Sequence, residues 1–293
     1  MSCSKGKQQT GNTDEVMPQG YGKRTGKEDT MTDTNFNDRF ERIETKYLMH
    51  RMQYEALWKR LDAYMQVDAY GLSTIENIYY DTPGYDLIRT SLDKPVYKEK
   101  LRLRSYGVPE DGTPVFLEIK KKYRDVVYKR RVSMPLKKSS NYLAHGIRPD
   151  DMNQIGQEID YFISFYRPEP KMFIAYDRIA TFGREDAGLR ITFDFRIRSR
   201  EDDLDLSHGD RGEQLLDDDM VLMEIKIGGA YPLWLTGILS EMKIYPVSFS
   251  KYGNCYKKKL AAEAEQGRRP RIVAAENPEA VPADVRRRIW ATA

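Results

Sequence analysis

In "VYKEKLRLRSYG", residues 96 to 107, Lys98, Lys100, Arg102 and Arg104 recur at every second position, with Tyr97, Glu99, Leu101 and Leu103 between them. A strand sends alternate side chains to opposite faces, so this spacing gives one whole face to positive charge. The same chemistry returns along the chain. "LRITFDFRIRS" places Arg190, Thr192, Asp194, Arg196 and Arg198 on one side, against Leu189, Ile191, Phe193, Phe195 and Ile197. "VFLEIKKKY" sets Phe116, Glu118, Lys120 and Lys122 against Val115, Leu117 and Ile119, and "VVYKRRVSM" sets Lys129 and Arg131 against Tyr128 and Val132. "MFIAYDRIA" offers Tyr176 and Arg178, and "VLMEIKI" offers Glu224 with Leu222 and Lys226. One such strand alone is an ordinary sheet face turned to water. Repetition argues otherwise, because like charges on neighbouring strands repel and need an anion to offset them. Guanidinium forks and ammonium groups match phosphate oxygens, and the isolated carboxylates among them are hard ligands of the type a divalent cation shares with phosphates.

These residues need strands to position them. Period-two alternation covers 40 to 48, 74 to 81, 96 to 106, 114 to 123, 126 to 134, 172 to 182, 188 to 199 and 220 to 227, which predicts about eight strands. Helical periodicity covers "RMQYEALWKRLDAYM" from Arg51, "MNQIGQEIDYFISFY" from Met152 and "PLWLTGILSEMK" from Pro232, with a last short helix over Lys251 to Ala262. "YDTPGYDLI" reads as a turn running into a short helix, with Asp81 and Pro83 as turn residues. The expected architecture is α+β. About eight antiparallel strands close into a barrel tunnel, charged faces inward, and the helices at 51 to 65, 152 to 166 and 232 to 243 cover the apolar faces outside.

Composition narrows the function. The 293 residues carry 48 basic and 45 acidic side chains, a net +3, so no bulk nucleic-acid field exists and the charge effect must be local. Cys3 and Cys255 stand far apart without a partner motif, which excludes a disulfide framework and a Cys-based metal site and fits a reducing cytoplasm. No apolar run approaches the roughly 20 residues that span a bilayer. His50, His145 and His208 share no metal spacing, and no Walker-type glycine loop is present to hold a nucleotide. Tyr47, Tyr79, Tyr97 and Tyr128 read as outward packing under helices, whereas Tyr176 shares the Arg178 face and could touch a nucleotide. Residues 1–35 read as a disordered leader, 36–262 as the folded domain, and 263–293 as a basic, flexible tail.

The ordered motifs "RFERIETKYLM", "YDTPGYDLIRTSLDKPVYKEKLRLRSYG", "VFLEIKKKYRDVVYKRRV", "YDRIA", "LRITFD", "LMEIK" and "SFSKYGNCYKKKL" resemble the polyphosphate polymerase domain of the vacuolar transporter chaperone (VTC) type, within the triphosphate tunnel metalloenzyme, or CYTH-like, superfamily. The likeness runs from about Phe40 to Leu260. It implies phosphate-binding roles for Lys46, Arg102, Arg104, Lys120, Lys129, Arg178, Arg190 and Lys251, and metal binding by Glu224. Where the superfamily's hydrolases carry Glu-x-Glu-x-Lys, this chain has Arg42, Glu44 and Lys46. One hydrolase-type metal ligand is therefore missing, which favours the polymerase branch and leaves Glu44 and Glu118 as further ligand candidates. The extra phosphate-sensing domain and membrane helices of the eukaryotic relatives are not visible in this sequence.

The resemblance implies transfer of the γ-phosphoryl group of ATP to a growing inorganic polyphosphate chain, with release of ADP and with Mn²⁺ or Mg²⁺ as cofactor. Arg102, Arg104, Lys120, Arg178 and Arg190 would stabilise the transferring group, while Lys46, Lys129, Lys251 and Tyr176 would bind substrate. Two alternatives stay open. One is a triphosphate or short polyphosphate hydrolase, and the other a non-catalytic module binding polyphosphate or RNA, for which Glu224 would not matter. Oligomeric state is left open by the sequence.

Overall fold

The computed structural model describes residues 42–267 except 125 and 151. The segment read as a leader lies outside them, as does the tail beyond 267. The strands are β1 (Arg42–His50), β2 (Met65–Asp81), β3 (Tyr97–Tyr106), β4 (Pro114–Tyr123), β5 (Val126–Pro135), β6 (Glu169–Gly183), β7 (Arg190–Arg200), β8 (Glu213–Gln214), β9 (Met220–Gly228) and β10 (Pro246–Val247). The helices are α1 (Arg51–Leu61), α2 (Asp86–Leu92), α3 (Leu136–His145), α4 (Gln154–Tyr166), α5 (Leu233–Glu241) and α6 (Lys251–Glu265). All eight expected strands are present, and the two additional ones are only two residues long.

Local chemistry sets the helix ends. Asn153 caps α4 by accepting a hydrogen bond from the Gly156 amide, and Ser250 caps α6 by accepting one from Gly253. Helix α4 stops where Arg167 takes a left-handed conformation ahead of Pro168. Helix α3 was not anticipated, because "LKKSSNYLAH" mixes serines and an asparagine of low helix preference with its apolar positions. Its burial of Leu136 and Tyr142 under the sheet overrides that preference.

The sheet runs β10-β1-β9-β7-β6-β2-β3-β4-β5, with β8 attached to β7, and every pairing is antiparallel. It rolls strongly. Strands β1 and β4 are six steps apart in that order, which in a flat sheet would separate them by about 29 Å, yet Lys120 on β4 reaches Glu44 on β1 at 3.1 Å. The expected closed barrel is nevertheless not formed, because no backbone ladder joins β5 to β1 or β10. Two residues of the outer edge of β1, Lys46 and Tyr47, are taken by β10, whose Pro246 has no amide hydrogen to extend a ladder. Side chains, not backbone bonds, span the seam.

Two apolar layers cover the outside. Tyr47, Ile191, Phe193, Met223 and Ile225 pack with Leu57 of α1 and with Leu235, Ile238 and Leu239 of α5. Ile78, Leu101, Leu103, Leu117 and Phe173 pack with Tyr142 of α3 and with Ile159 and Phe162 of α4. Each fully buried side chain of this size contributes on the order of 1.5–3 kcal/mol, which fixes the apolar faces outward under helices. The inner face carries a third cluster, in which Ile75, Tyr79, Met172, Ile174, Tyr176 and Ile197 meet Ile88 of α2 and Tyr252, Cys255 and Tyr256 of α6. Helix α6 therefore lies inside the roll, with Tyr252 stacked on Tyr79 at 4.8 Å and donating to the buried Asp81 at 2.9 Å.

Two readings of strand parity are corrected. Tyr79 faces inward, where it accepts a hydrogen bond from Arg102 Nη1 at 3.1 Å, and does not pack outside under a helix. Arg198 leaves the Arg190 face because β7 bulges: Asp177 pairs with Phe195 and Ala175 with Arg198, so two residues of β7 oppose one of β6. Arg196 in the bulge has φ +43°. Beyond it the alternation inverts, Ile197 turns inward, and Arg198 turns outward to Asp177 at 3.3 Å.

Candidate functional site

Lys46, Glu44, Glu224, Lys226, Thr192, Asp194, Arg178, Tyr176, Arg102, Arg104, Glu118, Lys120 and Lys129 all point to the inner face. The ladder registers bring them together: Lys46 opposes Glu224, Glu44 opposes Lys226, Arg178 opposes Asp194, and Arg102 opposes Glu118. Three buried acids then organise the cations.

The first is Glu118, whose side chain is 1 % exposed. Arg102 donates to Oε2 through Nε at 2.8 Å and Nη2 stands 2.7 Å away, while Lys129 Nζ lies 2.9 Å from Oε1. Burial would raise the carboxyl's pKa, but Arg102, Arg104 and Lys129 together hold it at about 2. Arg104 stands 3.8 Å from the same Oε2 and donates to Asn77 Oδ1 at 2.9 Å and to the Tyr176 hydroxyl at 3.2 Å.

The second is Asp194, also 1 % exposed, which receives a two-pronged bond from Arg178 at 2.6 and 2.8 Å and a further bond from Lys251 of α6 at 2.5 Å. Those two cations hold its carboxyl far below the usual range in spite of burial. Tyr176 joins the two groups. Its ring lies under the charges of Lys251 and Arg178 at 4.2 and 5.0 Å, and Arg104 bonds its oxygen. Burial pushes the phenol up, yet Arg104, Arg178 and Lys251 outweigh it and bring the hydroxyl down to about 7.

The third group holds Glu44 and Glu224. Lys226 Nζ lies 3.5 Å from Glu44 and 3.7 Å from Glu224, and Lys120 reaches Glu44 from across the seam. Burial opposes ionisation of both acids, but their lysines keep Glu44 at about 2 and Glu224 below its ordinary value. Lys46, the ladder partner of Glu224, donates to the Phe249 carbonyl at 2.8 Å beside the first turn of α6. Burial lowers its pKa to about 8.

Arg190 stands exposed opposite Lys226 on the same face. Arg190, Arg131, Lys46, Lys98 and Lys100 make no ion pair among the described residues. Positive charge is thus in excess after every local pairing. Of the three carboxylates expected to bind metal, Glu44 and Glu224 share Lys226, whereas Glu118 belongs to the Arg102 group, and no cluster of three ligating side chains occurs among the described residues. Two ionised carboxylates are the donor set of a cation that takes its remaining ligands from phosphate and water. Asp194, the acid that orients Arg178 and Lys251, is placed by the sequence on the Arg190 face with no role assigned to it. Its partner on α6 comes from 57 residues further along the chain, which no local pattern reveals.

A rolled antiparallel sheet with a cationic inner face, organised by buried acids and entered by one helix, offers a surface whose charge suits an extended anion. The family model for the VTC domain matches residues 41–260, and the chain belongs to that family. A search of curated proteins returned no significant match. Among solved structures, a candidate adenylate cyclase from Bacillus halodurans is 14 % identical with a TM-score of 0.46, covering 71 % of this chain and 92 % of its own. A candidate adenylyl cyclase from Hippeastrum, described as having a dominant triphosphatase activity, is 15 % identical with a TM-score of 0.42, covering 78 % and 97 %. Likeness at that level carries no chemistry across.

Proposed function

We propose that this chain is a polyphosphate polymerase that transfers the γ-phosphoryl group of ATP to the end of an inorganic polyphosphate chain. Membership of the VTC family supports polyphosphate as the class of substrate. The single observation that carries the reading is the surplus of inward cations, Lys46, Lys98, Lys100, Arg131 and Arg190, left without a carboxylate after Glu118, Asp194, Glu44 and Glu224 have engaged their partners.

In the reaction an oxygen of the chain's terminal phosphate attacks the γ-phosphorus, the bond from that phosphorus to the β,γ-bridging oxygen breaks, and ADP leaves with the electron pair. The attacking oxygen is already anionic, so no dedicated base is required. Catalysis rests on position and charge. Arg102, Arg104, Arg178 and Arg190, with Lys120, would neutralise the transferring group, and Glu118 and Asp194 would hold Arg102 and Arg178 in place. Tyr176 would pack against the phosphates between Arg104 and Arg178. Lys46, Lys129 and Lys251 would guide phosphates along the inner face. Glu224 and Glu44 would hold Mn²⁺ or Mg²⁺, which when bound supplies further neutralisation of the nucleotide phosphates.

Purified protein incubated with ATP and Mn²⁺ should yield long chains on a polyphosphate-stained gel, with ADP and little orthophosphate. Orthophosphate without chains would identify a hydrolase, and binding with no turnover a non-catalytic module. Arg190→Ala and Glu224→Gln should each lower turnover by on the order of 10²-fold with the fold intact.

A further inference from the structure

Lys98 and Lys100 carry the cationic row of β3 beyond the arginines. Both are on the inner face, opposing Lys122 and Lys120 of β4, and both are half-buried. Among the described residues Lys100 Nζ bonds the Ser250 hydroxyl alone, at 3.2 Å, where the first turn of α6 enters the roll. Lys98 Nζ meets the Ser91 carbonyl at 3.4 Å, a long contact. Neither forms an ion pair among the described residues, unlike Arg102, Lys120 and Lys129 on the same face.

This placement costs folding energy. Burial first, then the charges of Lys98, Lys46 and Lys120, bring the ammonium of Lys100 down to about 7, and the attraction of Asp81 is too small to offset them. Lys98 is lowered by burial and by Lys122, Lys120 and Lys94. Asp81 cannot relieve the cluster directly, because its carboxylate already receives bonds from Thr82, Leu87, Ile88 and Tyr252. Four cations at alternate positions from Lys98 to Arg104 extend over about 20 Å of strand, further than three linked phosphate groups reach.

We propose that Lys98 and Lys100 form an additional phosphate subsite that engages linear polyphosphate beyond the length of a triphosphate. The inference rests on the polyphosphate reading of the inner face and assigns these two lysines to the extended chain and not to the nucleotide. A phosphate here would replace the mutual repulsion of the lysines with charge-assisted hydrogen bonds.

The test is calorimetric titration of the full chain with tripolyphosphate and with linear polyphosphate of defined longer length. Wild type, Lys98→Gln, Lys100→Gln and the double variant are compared. Each substitution should weaken long-chain binding by about tenfold, the loss of one hydrogen bond to a charged group, and should weaken tripolyphosphate binding much less. Equal losses for both ligands, or no loss for either, would overturn the assignment while leaving the polyphosphate reading intact. Failure of wild type to bind either ligand would overturn both. Ligand-free Lys100→Gln should melt at or above the wild-type temperature, since it removes a like charge. Were it not to fold, Lys98→Gln alone carries the comparison.

Discussion

Lys120 on β4 donates to Glu44 on β1 at 3.1 Å, bridging the two halves of a sheet whose backbone ladder never closes. The side chains are 44 % and 26 % exposed, so the pair contributes little to stability, about 1 kcal/mol at most. Glu44→Gln should leave the urea midpoint nearly unchanged. The same substitution removes one of the two acids beside Lys226, so under the proposed function the divalent-cation concentration needed for half-maximal activity should rise. Denaturation and a metal titration on the same preparation separate the two effects.

Asp194 behaves oppositely. It is buried and compensates two cations from different elements, so Asp194→Asn leaves Arg178 and Lys251 facing each other without an acid. Breaking a buried arrangement of this kind costs about 3–5 kcal/mol, which urea denaturation would register directly. Added polyphosphate should recover part of the loss, because ligand that binds only the folded state raises its stability.

Lys46 and Lys100 have folded-state pKa values of about 8 and about 7, against 10.5 for the free side chain. Between those values and 10.5 the unfolded chain holds more protons than the folded one, so stability rises with pH in that window. The ligand-free protein should therefore gain thermal stability from pH 7 to pH 9, and the gain should shrink in Lys46→Met and Lys100→Met. Saturating tripolyphosphate should flatten the profile at Lys46, since a bound anion restores the charged lysine. A thermal-shift series over pH measures all three.

Tyr176 titrates near 7 because Arg104, Arg178 and Lys251 stabilise its phenolate against burial. Near-ultraviolet absorbance should reveal one tyrosinate forming close to neutral pH, absent in Tyr176→Phe. A polyanion bound among the same cations should push that transition upward. An unchanged transition would separate Tyr176 from the phosphate path.

Much of the site was legible before folding. Lys46 was legible only through the family resemblance, whereas period-two spacing placed Arg102, Arg104, Lys120, Lys129, Arg178, Arg190 and Glu224 on charged faces, because a strand's geometry leaves alternate residues no other arrangement. The apolar partners Leu101, Leu117 and Ile191 announced the opposite face in the same way. Where the backbone departs from that period the sequence misleads: the bulge at Arg196 sends Arg198 outward and Ile197 inward, and nothing in "DFRIRSR" marks the extra residue.

What the sequence by itself determined is the set of strands, their two faces and the sign of charge on each, all consequences of local periodicity. Tertiary structure alone decided which acid serves which cation: Glu118 for Arg102, Asp194 for Arg178 and Lys251, and Glu44 for a lysine from the far side of the roll. It also decided that α6 enters the interior and that the sheet stays open. Those outcomes depend on twist accumulated over the whole sheet and on contacts between residues far apart in the chain, for which no single segment carries a signal.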